Sequence, residues 1–426
     1  MRVRDPIHGT IPVADTEVAL IDSAFYQRLR HVKQLGFGEL AFPGATHTRH
    51  AHCLGAMHLA SRLFDAALAP LELPEADRAR LRRVVRAATL LHDLGHMPLS
   101  HASERIAPAR ARLGLPAWLG VEPEATQASH EDFTAKLLLD SSLTPVLARS
   151  LEGTGFSPEA VVSLIAGKEP PGGSPFQVGA RELAPILRQL VSGELDADRM
   201  DYLLRDSFFT GVKYGQYDLD WMVQNLWPAE ISGEVFLALS KVAVFAFEDF
   251  LLSRYHMFVS VYYHHTAICF DELLQRCYAE SPGEFEIPPE PEAFLHCDDV
   301  QLWTALRASK SRWAERLVRR RGFKMLVEAT GRDAGYDLDG LDRALSAAGI
   351  EHFRTASKGV LSKYFAGGGG PNLYVLDRAT QHLTPVTQYT PLYQRYAETI
   401  TLERIYVDDA RAADAFEIFR KQSRAG

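Results

Sequence analysis

A predicted buried helix that ends in a cluster of metal-binding side chains is the strongest constraint in this sequence. The stretch is Leu90-Leu-His-Asp-Leu-Gly-His-Met-Pro-Leu-Ser-His101, and the apolar run 84–91 predicts a buried helix. His96 lies four residues beyond His92, so both imidazoles would point the same way on a continuing helix. The carboxylate of Asp93 is costly to bury without a partner. This stretch therefore predicts a metal site.

Size and charge limit the class of protein. A chain of 426 residues can bury a large core and divide into two or three units. Its net charge of -8 argues against a protein that coats nucleic acid by bulk electrostatics, but a local basic cleft is not excluded. No stretch reaches the roughly 18 apolar residues that span a membrane, and the N-terminus has no apolar signal core. The four cysteines form no CxxC pair, so we expect reduced thiols and a cytoplasmic protein.

Apolar residues at spacings of three and four predict helices along most of the first 280 residues. The predicted helices cover 17–35, 49–68, 74–96, a segment opening at 130, a segment around 196–207, and 243–277. His52, His92 and Asp198 would then lie on three different helices. Only a bundle that converges on one point can bring such side chains together.

The character of the sequence changes near residue 280. The segment Ser281-Pro-Gly-Glu-Phe-Glu-Ile-Pro-Pro-Glu-Pro predicts a turn-rich linker, which divides the chain into 1–280 and 281–426. Strand-like runs follow at 325–327, 373–376 and 404–407, and a mobile loop is predicted between the first two, at 367–371. A final amphipathic helix is predicted from Arg411. We expect a mainly α fold, a helical bundle around a metal site. A smaller α+β C-terminal region would pack on it and take part in oligomerisation.

The residue types of the candidate site suit phosphate chemistry. Neutral imidazoles and carboxylates with open positions favour a hard or borderline divalent metal. Such an ion would lower the pKa of bound water and offset the charge of a phosphate. Other imidazoles could hold phosphate oxygens or protonate a leaving oxygen, and Glu104 could orient the ring of His101 three residues before it. Those imidazoles belong to His96, His101 and His130.

Other charged residues have two interpretations. Arg199, Arg254 and Lys213 are phosphate clamps or surface ion pairs, and their spacing does not decide between the two. The basic run 316–324 is typical of a solvated helix face, with an anion contact as the alternative. An isolated histidine is more often a core or surface residue than a ligand. We interpret five histidines in that way: His31, His58, His296, His352 and His382.

Ordered blocks across residues 5–270 carry a resemblance to a known family. The blocks are Asp5-Pro-Ile-His-Gly, Phe25-Tyr-Gln-Arg-Leu-Arg, Lys33-Gln-Leu-Gly, Phe42-Pro-Gly-Ala-Thr-His-Thr-Arg, Leu90 to His101, His130-Glu131, Asp196-Ala-Asp-Arg-Met-Asp-Tyr and Val261-Tyr-Tyr-His. They resemble the HD-domain phosphohydrolases, named for adjacent histidine and aspartate residues, here His92 and Asp93. The resemblance is greater to the deoxynucleoside triphosphate triphosphohydrolase (dNTPase) branch than to the superfamily at large.

The resemblance implies a reaction and a role for each matching residue. A metal-bound hydroxide would attack the α-phosphorus of a deoxynucleoside triphosphate (dNTP), releasing deoxynucleoside and triphosphate. The implied metal ligands are His52, His92, Asp93 and Asp198. The implied catalytic residues are His101, which protonates the leaving 5′-oxygen, Glu104, which supports it, and His96 and His130, which contact phosphate. The implied substrate contacts are Gln34 and Arg49 at the sugar and α-phosphate, Arg199 and Arg254 at the outer phosphates, Tyr202 and Tyr262 at the sugar, and Asp206 near the 3′-hydroxyl.

Cofactors and partners follow from the same resemblance. It implies a divalent transition metal (Mn, Fe, Ni, Co or Zn), to which a second ion such as Mg²⁺ can be added. It also implies a nucleotide substrate and a homo-oligomer, dimeric or higher, without membrane attachment. Asp22, Gln27 and Arg30 match a regulatory site for an activator nucleotide in some relatives.

The chain departs from the family pattern at two places, and two other functions compete with the first. Where the family has Phe-Glu-His-Ser, this chain has His50-Ala-His-Cys, so a carboxylate is lost and His50 is a competing imidazole. His265 replaces a lysine of relatives, which bears on nucleotide-dependent assembly.

The competing functions are a phosphodiesterase or exonuclease on other nucleotides or single-stranded nucleic acid, and a nucleotide-sensing regulatory protein.

Overall fold

The chain begins with a short hairpin and continues as a bundle of helices. The computed structural model describes residues 1–330, 336–359, 373–390, 392 and 400–423, so the loop predicted at 367–371 lies outside the described residues. The hairpin pairs β1 (Arg2–Asp5) with β2 (Gly9–Pro12) in antiparallel register. The predicted mainly α fold is confirmed.

The first 280 residues contain twelve α-helices among those described, and all except the last share one hydrophobic core with the hairpin. They are α1 (Asp15–Ile21), α2 (Ala24–Arg28), α3 (Arg49–Ala67), α4 (Glu75–Leu91), α5 (His130–Leu139), α6 (Thr144–Ser150), α7 (Pro158–Ala166), α8 (Ala184–Val191), α9 (Ala197–Thr210), α10 (Leu219–Gln224), α11 (Val244–Met257) and α12 (His265–Glu280). The 19-residue α3 is central, since it packs against both α4 and α9 and is buried along most of its length.

A glycine sets the close approach of α9 to α3. A Cβ atom at Gly55 would lie 2.0 Å from Oδ1 of Asp201 and 2.3 Å from Nη2 of Arg205. Both side chains belong to α9 and are fully buried. Any other residue at position 55 would push α9 away from α3, because buried side chains in close packing have little room to move.

The prediction of one continuing helix through His92 and His96 is wrong. α4 ends at Leu91, and the chain turns sharply before a 3-10 helix at Ser100–Ile106. Leu99 and Ser100 both have positive φ, 55° and 57°. Gly95 allows this turn to pack on α5, because a Cβ there would lie 2.0 Å from the carbonyl oxygen of His130. His96 therefore approaches the site from a turn, not from the face of α4.

Two other predicted helices are interrupted. The segment 17–35 divides into α1 and α2, because the Ser23 side chain accepts a hydrogen bond from the Tyr26 amide and starts a new helix. The segment 243–277 divides into α11, a π-helical segment at Phe258–Tyr262, and α12. The start of α12 is capped by the side chain of His264, which accepts from the Thr266 amide. Local capping groups therefore end one helix and start another, although the helical spacing of apolar residues continues past them.

The strands after the hairpin form two sheets. They are β3 (Gln177–Val178), β4 (Arg181–Glu182), β5 (Leu226–Ile231), β6 (Glu234–Ser240), β7 (Lys324–Thr330), β8 (His352–Gly359), β9 (Tyr374–Asp377), β10 (His382–Pro385) and β11 (Ile400–Val407). One sheet has the order β10-β9-β6-β4-β3, with β5 also paired to β6, and β6 and β9 run parallel. The other has the order β7-β11-β8 and is antiparallel.

The first of these sheets joins parts of the chain that we assigned to different regions. β5 and β6 were not predicted, and β9, which follows the boundary near 280, pairs with β6 before it. The division at residue 280 stays a prediction, but strand pairing crosses it. Among the described residues, every helix is too short or too polar to span a bilayer.

The C-terminal region has a small core of its own. Its helices are α13 (Pro291–Phe294), α14 (Asp299–Ala308), α15 (Arg312–Val318), α16 (Leu338–Ala347), α17 (Val386–Tyr389) and α18 (Ala412–Ser423). α16 and α18 cover the β7-β11-β8 sheet, where Leu341, Leu345 and Ile405 are buried together. α12 packs against α15 through a further cluster that contains Phe270 and Trp313.

We expect Gly55→Ala to destabilise the fold by about 1–3 kcal/mol, because the added methyl group overpacks a buried contact. Urea unfolding followed by circular dichroism measures the change in the free energy of unfolding. Asp65→Ala is the control, since Asp65 is exposed on the same helix and should have a small effect. Equal stability of Gly55→Ala and the wild-type protein would contradict the close approach of α9 to α3.

Candidate active site

Three helices bring a possible ligand set to one point. His52 comes from α3, His92 follows the last residue of α4, and Asp198 lies in the first turn of α9. One ligand atom of each lies within 4.8 Å of the other two. Oδ1 of Asp198 is 3.0 Å from Nε2 of His52 and 3.5 Å from Nε2 of His92. The predicted convergence of separate helices is therefore present in the structure.

The two imidazoles are oriented so that their Nε2 atoms face the same space. Nδ1 of His92 donates to the Thr89 carbonyl at 2.7 Å, and Nδ1 of His52 lies 2.8 Å from Oδ2 of Asp201. Both Nε2 atoms are buried, and despite the nearby Asp198 carboxylate neither makes a hydrogen bond of good geometry with the described residues. Leaving buried polar atoms unpartnered is costly. A divalent cation would satisfy both, so these residues fit a metal ion.

The raised pKa of His52 also indicates a site that attracts a cation. Burial lowers the pKa of His52, but the carboxylates of Asp198 and Asp201 outweigh burial and raise it to about 10. A metal ion at Nε2 would replace that proton, because proton and cation are attracted by the same carboxylates.

Asp93, the fourth predicted ligand, lies beside this set. Its Oδ2 accepts from Nη1 of Arg49 at 2.5 Å, and its Oδ1 is 3.3 Å from Nε2 of both His92 and His96. Burial would raise the pKa of Asp93, but Arg49, His92 and His96 outweigh burial and hold it well below its usual value. Asp93 is therefore an ionised group shared between the histidines and Arg49.

Behind His52 lies a buried network that the sequence interpretation did not include. The Asp201 carboxylate contacts His52, accepts two hydrogen bonds from Arg205, and lies 2.6 Å from Nε2 of His8. Arg205 in turn donates to Asp5 at 2.8 Å. The spacing of Asp201 and Arg205, four residues on one helix, was the available signal. The N-terminal hairpin is thus connected to the candidate metal centre through Asp201.

A second cluster combines three imidazoles with Glu104. Oε1 of Glu104 is 2.5 Å from Nδ1 of His130, and Oε2 is 3.1 Å from Nδ1 of His101. The rings of His96 and His130 stack with centroids 4.0 Å apart. Burial would raise the pKa of Glu104, but its bonds to His101 and His130 lower it. We predicted one partner for Glu104, and the structure gives it two.

A cavity of about 570 Å³ joins both clusters to the predicted substrate contacts. It is lined by Gln34, Arg49, Asp93, His96, His101, His130, Asp198, Arg199, Tyr202, Asp206, Arg254 and Tyr262, among others. Oη of Tyr262 donates to Oδ2 of Asp206 at 2.9 Å, and Oδ1 of the same carboxylate is 2.7 Å from Nε2 of His47. Asp206 is therefore oriented by buried neighbours on both sides.

Two arginines of the cavity share a buried carboxylate. Nη1 of Arg254 is 3.1 Å from Oε1 of Glu194, and Nη1 of Arg199 is 3.8 Å from Oε2. Burial would lower the pKa of Arg199, but Asp196 and Glu194 outweigh burial and raise it. Of the two interpretations of these arginines, surface ion pairs are ruled out, because both side chains are buried at the cavity wall.

The other predicted positions lie away from the ligand set. Asp22, Gln27 and Arg30 are at the junction of α1 and α2, where Arg30 donates to Gln27 at 2.7 Å, and none of the three lines the cavity. His50 packs edge-on against the ring of Tyr26, so it is not part of the metal-ligand set. Burial lowers the pKa of His50 to about 4, and the positive charge of Arg30 contributes to this decrease.

Arg28 is a further residue that the sequence interpretation missed. It is buried and donates to the carbonyls of Leu94 at 3.2 Å and His96 at 2.7 Å, and to the Cys297 carbonyl at 2.9 Å from Nε. These bonds satisfy carbonyls of the turn after α4 that the helix itself does not use. Arg28 therefore holds the turn that carries His96.

Comparisons with known proteins give matches over most of the chain. A family model described as the HD domain matches residues 49–205, and one described as the HD associated region matches residues 222–348. An uncharacterized protein of Methanocaldococcus jannaschii is 31% identical over 76% of this chain and 59% of its own length. The human deoxynucleoside triphosphate triphosphohydrolase SAMHD1 is 28% identical over 71% of this chain and 49% of its own.

One solved structure is similar over nearly the whole chain. The crystal structure of a hypothetical protein from Aquifex aeolicus has a TM-score of 0.73 and 27% identity, covering 98% of this chain and 99% of that one. The chain spans about half the length of the curated relatives it matches. Residues 49–205 form an HD domain and residues 222–348 match the HD associated region, which confirms the resemblance predicted from the motifs.

We expect Asp201→Asn to weaken binding of a divalent metal by roughly 10–100-fold, because the neutral amide cannot orient His52 and hold Arg205 equally well. Titration of the metal-free protein with Mn²⁺ or Co²⁺ measures the affinity. Asp220→Asn is the matched control, since the Asp220 side chain is 74% exposed and lies outside the cavity. Equal affinities of Asp201→Asn and wild type would show that Asp201 does not support the site.

Proposed function

We propose that this protein is a metal-dependent phosphohydrolase that converts dNTPs to deoxynucleosides and triphosphate. One observation supports this most strongly. The wall of a single cavity includes Asp93 and Asp198 of the predicted ligand set, the three imidazoles of the His-Glu cluster, a pair of buried arginines, and two tyrosines beside Asp206. A triphosphate needs cations along its length, and a deoxyribose needs a small polar and aromatic pocket, so the cavity offers each part of a dNTP a complementary surface.

His52, His92 and Asp198 are the residues that would hold the metal ion, with Asp93 as the fourth ligand. When bound, the ion supplies an activated water and offsets the charge of the phosphate under attack. Thr89 and Asp201 fix the two rings so that both Nε2 atoms lie near Asp198. Arg49 shares Asp93 and lines the cavity, so its guanidinium is available to the α-phosphate.

His101 is the candidate proton donor for the leaving 5′-oxygen. Glu104 occupies Nδ1 of His101 and leaves Nε2 free to deliver the proton. The His101 side chain is 66% exposed, whereas His96 and His130 stack below it and are suited to hold phosphate oxygens. Burial lowers the pKa of His130, but its bond to Glu104 outweighs burial and raises it, which favours the cationic form next to phosphate.

The other end of the cavity suits the outer phosphates and the sugar. Arg199 and Arg254 are held by Glu194 in positions where both can contact the phosphates. Tyr202 and Tyr262 meet edge to face at 6.1 Å. A sugar packed on Tyr262 would leave little room for a 2′-hydroxyl, while Asp206 could accept a bond from the 3′-hydroxyl.

The assembly and regulation of the protein remain predictions. A homo-oligomer and an activator nucleotide near Asp22, Gln27 and Arg30 are both compatible with the position of these residues outside the cavity. The compatible metals are the divalent ions named above.

Product analysis tests the proposed reaction. With Mn²⁺ and each dNTP, we expect deoxynucleoside and intact triphosphate, and we expect His92→Ala to lower turnover to background because a metal ligand is lost. The control is His296→Ala, which changes an exposed histidine outside the cavity. Monophosphate and pyrophosphate would contradict the proposed bond cleavage. Release of mononucleotides from single-stranded DNA would favour the phosphodiesterase, and tight binding without turnover would favour a nucleotide sensor.

We expect His101→Ala to lower kcat by roughly 10²–10⁴-fold with a smaller change in KM, because general acid catalysis acts in the transition state. Glu104→Gln should lower kcat as well, since it weakens the orientation of both His101 and His130. Steady-state kinetics on dNTPs measures both. A change confined to KM in both variants would show that this cluster only binds substrate.

A further inference from the structure

One wall of the active-site cavity has no role in the proposed reaction. It is formed by the start of the 3-10 helix Gly36–Leu40 and by the first two turns of α12. Apart from one acid, the residues that line it there are small or apolar: Leu35, Gly36, Gly38, Ala267 and Ile268. The acid is Asp271 on α12. An apolar surface with a single hydrogen-bonding group is suited to an aromatic ring.

Asp271 has no partner in the described part of the chain. It makes no hydrogen bond there, and no cationic side chain lies within 4.0 Å of it. Burial raises the pKa of Asp271 to about 7. The positive charge of Arg105 opposes this rise, and the negative charge of Glu272 adds to it. Asp299, a buried acid of α14, differs because it accepts from the backbone amides of Lys33 and Leu99. Asp271 is therefore a partly buried carboxyl that lines the cavity without a donor from the described residues, so a ligand in the cavity can supply its hydrogen-bond donors.

We propose that Asp271 recognises the base of the nucleotide and selects guanine; this inference rests on the proposed function. If the phosphates lie at the metal ligands and at Arg199 and Arg254, and the sugar lies at Tyr262, the base must lie against a remaining wall. The wall of α12 and the Gly36–Leu40 helix offers apolar contact for the ring and the Asp271 carboxylate for its edge.

The chemistry of the base edges favours guanine. In its ionised form the carboxylate of Asp271 only accepts hydrogen bonds, and it accepts two in parallel when the partner has two adjacent N–H groups. Guanine has such a pair at N1 and at the 2-amino group. Adenine and cytosine present one donor beside a ring-nitrogen acceptor, and thymine presents one N–H between two carbonyls. Each of these three places an acceptor lone pair against the carboxylate, which is unfavourable.

Changing Asp271 to Asn should alter base preference. We expect Asp271→Asn to lower kcat/KM for dGTP by roughly 10–100-fold, because two charge-assisted hydrogen bonds are lost. It should raise the relative kcat/KM for dATP, since an amide pairs with the donor and acceptor of adenine. Asp271→Ala should lose the preference for dGTP without gaining one for dATP. Glu272→Gln is the matched control, because Glu272 is the neighbouring carboxylate on α12 and does not line the cavity.

Equilibrium binding separates failure of this inference from failure of the proposed reaction. The four dNTPs are titrated into His101→Ala protein with and without Asp271→Asn. A dGTP preference that depends on Asp271 supports the inference even if the wild-type protein hydrolyses no dNTP, in which case only the proposed reaction fails. The same order of base preference with Asp or Asn at position 271, in binding and in turnover, overturns the inference. A loss of affinity equal for all four dNTPs also overturns it, because a structural role would do the same.

Discussion

The carboxylate of Asp201 is the point where the helical bundle and the candidate metal centre depend on each other. It lies between α3 and α9, contacts His52 and His8, and is paired with Arg205. The Asp201 carboxylate can lie this close to α3 only because Gly55 has no Cβ atom. A buried carboxylate without these partners would be strongly destabilising, so the close packing of the helices and the orientation of the metal-binding histidine are one arrangement.

The same arrangement recurs at two other positions beside the cavity. Glu104 orients His101 and His130, and Glu194 lies between Arg199 and Arg254. In each case one carboxylate holds two cationic or proton-donating side chains, so these side chains need little rearrangement when an anion binds. Such preorganisation is what makes hydrogen-bond donors effective on developing charge. Asp271 is different, because no cationic side chain of the described residues is paired with it.

The sequence predicted the helices that carry the site better than it predicted their ends. The helix over 49–68 is close to the observed Arg49–Ala67, but the helix through His92 and His96 ends at Leu91. Apolar spacing continues across a turn when the turn itself is buried, and it therefore cannot show where the turn begins. The β5-β6 pairing was missed for a related reason, since the buried run at 235–247 is a strand followed by a helix.

By itself, the sequence determined the family, the mainly α class and the residue types available to the site, because motifs and apolar periods are local properties. Only the tertiary structure decided which atoms face each other. It directed one oxygen of Asp93 to Arg49, gave Glu104 two histidines, and placed Asp271 at the cavity wall without a hydrogen-bond donor from the part of the chain that the structure describes. Those relations depend on distances between helices far apart in the chain, and helix separation is set by close packing at positions such as Gly55.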